Sequence, residues 1–116
     1  ELVEAPFILR EAGSGTRMVT DAALREHGFD PARLNVAAEM GSSEAVRQGI
    51  KAGLGVSILS SLAVAEDVER GSIATVPFDG VRIRRPIFLA RRKGRQLSPL
   101  AEAFDRFLRE QAVEEA

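Results

Sequence analysis

Three times the chain runs from an apolar segment into small hydroxyl residues and then into a helical pattern. Phe7-Ile8-Leu9 leads to Gly13-Ser14-Gly15-Thr16, the mixed-polarity stretch Leu34 to Met40 leads to Gly41-Ser42-Ser43, and Val56-Ser57-Ile58-Leu59 leads to Ser60-Ser61. Short β-branched runs predict strands, and a Ser followed by residues spaced three or four apart predicts a helix with a side-chain cap. The first helix is expected from Gly15 or Thr16 to His27, packing through Val19, Ala22, Ala23 and Glu26, with Gly28 at its left-handed end. The second is expected from Ser43 to Ala52, with Val46 and Ile50 one turn apart and Gly53 as its stop.

The run from Gly53 to Ser60 reads as a buried strand and is the choice for the centre of the sheet, with Leu34 to Met40 nearer an edge. A short helix over Ser61 to Glu69 closes at Gly71, and a strand is expected over Ile73 to Val76. After the turn pair Asp79-Gly80, Val81 to Arg91 reads as extended, with an apolar centre at Ile87-Phe88-Leu89-Ala90. The last helix opens with Ser98 and Pro99 and carries Leu100, Ala103, Phe104, Phe107 and Leu108 on one stripe. Alternating strands and helices predict a three-layer α/β lobe with a mostly parallel sheet.

A chain of 116 residues fits one domain. With 45% hydrophobic residues, 28% charged residues and a net charge of −1, it has no bulk attraction for nucleic acid. Seven of its 16 basic residues fall between Arg82 and Arg95, but only Phe88 is interleaved and it sits in the apolar centre of that stretch, so a solvated face is expected. No run approaches the roughly 20 apolar residues that span a bilayer, so no membrane role is expected. The chain begins without Met and enters a strand within six residues, as expected of a piece of a longer protein.

The absence of Cys and the presence of a single His argue against disulfides, metal sites and a His-based catalytic dyad. His27 reads as a surface residue at a helix end. Glu66 and Asp67 are adjacent and diverge on a helix, and no acid and base pair, dinucleotide fingerprint or phosphate loop is present. The expectation is a protein that is not an enzyme, with no catalytic residue, metal or cofactor.

Hydroxyl residues at helix N-termini suit a small anion, because the first amides of a helix lack intrahelical partners and face the positive end of the dipole. The candidates are Ser14, Gly15 and Thr16 at the first turn and Gly41 and Ser42 at the second, where a Gly permits close approach and Ser42 adds a hydroxyl. Ordinary capping is the competing account of each. Arg17 invites either an anion or a pairing with Asp21, and Ser60 with Ser61 forms a weaker third candidate. Were the three strands parallel neighbours, the turns would share one sheet edge.

In register along the chain, Phe7 to Arg17, Glu39 to Gln48 and Ala52 to Ser60 resemble the effector-binding region of LysR-type transcriptional regulators. Arg85-Pro86-Ile87-Phe88-Leu89 and Leu97 to Phe104 are similar to the C-terminal end of the same region. The resemblance implies a type 2 periplasmic-binding-protein-like fold of two lobes, behind an N-terminal helix-turn-helix domain that this chain lacks. It places residues 1–81 in the second lobe, 82–95 on a strand crossing back, and 98–113 in a helix that packs on the missing first lobe. It adds Met40 to the effector-contacting turn.

The implied function is sensing of a small anionic effector in a cytoplasmic homo-oligomer that meets DNA only through the missing domain. A periplasmic solute-binding protein of a transporter is the alternative, and an aromatic-acid dehydratase on the same fold is a third. Without the first lobe, the apolar stripe of the last helix is expected to drive dimerisation or to fold back on the sheet.

Overall fold

A computed structural model describes residues 2–112. It divides into two compact units, one up to Arg85 and one from Pro86 onward.

The first unit is built on β1 (Pro6–Arg10), which pairs in parallel with β2 (Asn35–Met40) and is bridged on its other side, also in parallel, by Val56. Both faces of β1 are covered. Phe7 and Leu9 cluster with Leu24 and Leu34, and Leu2, Phe29 and Ile58 pack against this group. Ile8 points the other way and is fully buried, as is Val46 of α2 (Ser43–Lys51). A continuous apolar run is what a parallel strand covered on both faces requires.

The central strand is therefore β1 and not the run from Gly53 to Ser60. That run is held to β1 by Val56 N–H to the Pro6 carbonyl at 2.9 Å and by Ile8 N–H to the Val56 carbonyl at 2.8 Å, and forms only an isolated bridge. A Cβ on Gly55 would collide with the Pro6 carbonyl, so the close approach needs a glycine. β2 is mostly exposed, as an edge strand should be, and one residue slips in its register against β1 between Phe7 and Ile8.

Helix α1 (Gly15–Glu26) starts where Ser14 Oγ accepts from Arg17 N–H at 3.3 Å, after Gly13 at φ +90°. It ends at Gly28, with Phe29 N–H donating to the Leu24 carbonyl at 2.9 Å. Its buried residues are Thr20 and Leu24, not the expected face through Ala22 and Glu26, both of which are exposed. The single large apolar residue late in the helix sets its rotation, because Leu24 joins the core around Phe7.

Helix α2 is capped by Ser42 and packs on the opposite face of the sheet, where Gly49 leaves room for Ile8 and Met40. With α1 on one face and α2 on the other, the unit has the three layers expected. Helix α3 (Ser61–Glu69) buries Val64 and Asp67, and Ile73 is buried just beyond it.

The strand expected over Ile73 to Val76 does not form, and neither does the extended strand over residues 82–95. Val76, Ile87 and Phe88 are each more than four-fifths exposed, so Phe88 is not in an apolar core. Strand character depends on a neighbour that completes the ladder, and among the described residues none is paired with either segment.

In the second unit, α4 (Pro99–Gln111) is capped by Ser98 Oγ accepting from Ala101 N–H at 3.2 Å. None of its residues is buried, and Leu100, Phe104 and Phe107 are 82%, 57% and 55% exposed. Residue 113, the expected end of the helix, lies outside the described residues.

Candidate functional site

Because β1, β2 and Val56 run in parallel, the turns after them sit at carboxyl ends on the same edge of the sheet, where open α/β sheets hold ligands. The first two turns touch. Glu11 N–H donates to the Met40 carbonyl at 3.1 Å, and Arg10 Nη1 donates to Ser43 Oγ at 3.0 Å. Ser14, Gly15, Thr16, Met40, Gly41 and Ser42 therefore flank one stretch of edge. The third turn is tied to β1 lower down, where Ser57 Oγ donates to the Ile8 carbonyl at 2.7 Å, and Ser60 is exposed with no side-chain capping bond.

The hydroxyls have distinct duties. Ser14 is buried and its Oγ caps α1, while Ser42 is exposed and its Oγ accepts from Ala45 N–H at 3.0 Å. Beyond Gly41 and its two chain neighbours, no described protein atom lies within 4 Å of where a Cβ on Gly41 would sit, so the space above that residue is open. Thr16 Oγ1 accepts from Arg85 Nη1 at 3.3 Å.

Arg17 does not reach into open space. Its Nη1 donates to the Arg10 carbonyl at 3.0 Å and to Glu39 Oε2 at 3.2 Å, and its Nε lies 3.9 Å from Asp21 Oδ2. The pairing with Asp21 read from the sequence is present, and Glu39, from the neighbouring strand, is the stronger partner. Arg10 in turn holds Glu11 through two hydrogen bonds of 3.0 and 2.9 Å. Those bonds, ahead of any other cause, keep the Glu11 carboxyl below its usual range.

A second polar cluster was not legible in the sequence. Asp67 is buried, with Lys51 Nζ at 3.0 Å and Ser72 Oγ at 3.1 Å on its Oδ1, while Arg47 Nη1 lies 3.3 Å from Oδ2 as an ion pair that leaves Oδ2 without a hydrogen bond. The hydrogen bond from Lys51 leads in holding its carboxyl below the usual value, against burial, which pulls the other way. The neighbouring Glu66 is exposed and faces Arg70, so these two acids diverge as expected. The cluster joins α2 to α3. His27 is exposed, its Nδ1 2.7 Å from the Ala23 carbonyl. Among the described residues there is no group of three or more acidic, His or Cys side chains placed to hold a metal, and no helix long and apolar enough to cross a membrane.

An open parallel edge lined by capped helix N-termini, with glycines and hydroxyls, is the kind of edge at which open α/β sheets hold ligands. The chain belongs to the LysR substrate binding domain family, which it matches over residues 1–113. That family carries an α/β fold of the type 2 periplasmic-binding kind, as the resemblance implied. It is similar to the HTH-type transcriptional regulator CbbR of Rhodospirillum rubrum, with 35% identity over 103 residues, covering 89% of this chain and 34% of that protein. It is also similar to the HTH-type transcriptional regulator CfxR of Cupriavidus necator, with 35% identity over 114 residues, 98% of this chain and 35% of that protein. A third relative is the HTH-type transcriptional activator CmpR of Synechocystis, 36% identical over 103 residues, 89% of this chain and 33% of that protein. The chain thus spans about a third of the length of these curated relatives, which are named as regulators and not as enzymes.

Proposed function

We propose that this chain is the effector-sensing part of a LysR-type transcriptional regulator. A small anionic metabolite is held at the turns of Ser14, Gly15 and Thr16 and of Met40, Gly41 and Ser42, with Ser60 and Arg17 at the margin. The effector is closed over by a first lobe in the rest of the polypeptide. Residues 1–81 form the second lobe, 82–95 cross back, and α4 packs on the first lobe. DNA is met through a helix-turn-helix domain elsewhere in the protein, which works as a cytoplasmic homo-oligomer. Closure of the lobes favours one arrangement of that oligomer over another.

The observation that carries this reading is the Glu11–Met40 hydrogen bond, which brings the two hydroxyl-bearing turns to one stretch of edge. The relatives' names favour regulation over the transport reading, since each is a transcriptional regulator. The test is effector response in the full-length protein. Thr16→Ala and Ser42→Ala should each lose the response while operator binding is retained. An unchanged response in both would remove these turns from the site.

A further inference from the structure

We propose that Arg85 is a specificity-determining residue of this site, the cation that selects a carboxylate- or phosphate-bearing effector. The inference rests on the effector-binding reading above and adds a residue and a ligand chemistry to it.

Three guanidinium groups reach the turn after β1, and two of them are engaged with acids. Arg10 is held in a double hydrogen bond by Glu11, and Arg17 is bonded to Glu39 with Asp21 close by. Arg85 arrives from 69 residues along the chain from Thr16, and its only hydrogen bond among the described residues goes to the neutral Thr16 hydroxyl at 3.3 Å. None of the ion pairs among the described residues includes it.

The guanidinium lies against the backbone of this turn. A Cβ on Gly15 would lie 2.5 Å from Arg85 Nη2 and 3.1 Å from its Cζ, so the missing side chain lets the guanidinium lie directly over the turn. The first turn of α1 contains no acidic residue that could neutralise it. A guanidinium offers five donors in a planar fork, and one bond to Thr16 leaves most of that fork available. The fork matches the paired oxygens of a carboxylate or phosphate. Glu11 and Glu39 repel an anion, but both are already bonded to arginines, so the unbalanced charge at the turn is Arg85.

The experiment is calorimetric titration of the full-length regulator with inorganic phosphate and, separately, with succinate. Wild type, Arg85→Gln, Arg85→Lys and Ser42→Gly are compared. The expected result is saturable binding of at least one anion by wild type and a loss of about tenfold or more in affinity for Arg85→Gln, the scale of one charge-assisted hydrogen bond. Arg85→Lys should fall between the two, because it keeps the charge and loses the fork. The anion bound more tightly names the chemical group. Arg85 is exposed, so unchanged unfolding midpoints will show that its variants fold.

Arg85→Gln binding within about twofold of wild type, while Ser42→Gly weakens binding, overturns the role of Arg85 and leaves the site standing. Wild type binding neither anion overturns the anionic reading and this inference with it.

Discussion

The amide of Glu11 donates to the carbonyl of Met40 across 3.1 Å, one residue beyond the last paired position of β1. Through that bond the ladder between the two strands runs on into the turns that follow them. The start of α1 is thereby fixed against the start of α2, although 28 residues separate Gly15 from Ser43. Two helix N-termini so placed face the same edge, an arrangement suited to the small acid proposed above.

Capping and ligand contact by Ser42 can be separated. Its hydroxyl caps α2, so Ser42→Ala should lower stability by about 1 kcal/mol, whereas Ser42→Gly should cost only about a few tenths. Both remove the hydroxyl. If Ser42 contacts the effector, the two variants should lose effector response equally despite unequal unfolding midpoints in urea; a response that follows stability would assign Ser42 to capping alone.

Gly55→Ala should destabilise the first unit by roughly 1–3 kcal/mol, because its Cβ meets the Pro6 carbonyl, a backbone atom that cannot turn aside. Gly41→Ala is the control, since nothing lies within 4 Å of its Cβ position. Urea unfolding of the two variants should separate them clearly. Equal midpoints would show that the segment after Gly53 is not seated against β1.

The Asp67 cluster gives a pH dependence with a definite sign. The folded-state pKa of Asp67 is lowered, chiefly by the hydrogen bond from Lys51, so its contribution is fully present above the unfolded value of about 3.9. It is lost as pH falls through the lower folded value. Asp67→Asn should therefore be less stable than wild type at pH 7, with the gap closing as the solution is acidified below about pH 4. Urea midpoints at a series of pH values measure this, and a gap that holds constant with pH would place the effect in packing.

The helices were legible because their boundaries are local. Ser14 with Gly28, Ser42 with Gly53, and Ser98 with Pro99 each mark an end through a cap or a left-handed glycine only a few residues from the helix. Which strand is central was not legible. Phe7-Ile8-Leu9 and Val56 to Leu59 each supply three large apolar residues, and the choice depends on which of them finds partners on both sides. The segments around Val76 and Ile87 have strand composition without a ladder, and composition does not report an absent neighbour. The same division runs through the site. Ser14 and Ser42 announce themselves as caps, whereas Glu39 as the partner of Arg17 and Arg85 as the partner of Thr16 are set by chain crossings 22 and 69 residues apart.

The exposed face of α4 sets the behaviour of this chain in isolation. Leu100, Phe104 and Phe107 are all more than half exposed, and burying a side chain of this kind contributes roughly 1.5–3 kcal/mol. Nothing on α4 itself shields them, because none of its residues is buried. The isolated chain should therefore self-associate, with light scattering giving a mass above 12.5 kDa that rises with concentration. Phe104→Glu with Phe107→Glu should return it to a monomer and leave the urea midpoint of the first unit in place. A wild-type chain that is monomeric at every concentration would show that this face does not drive association.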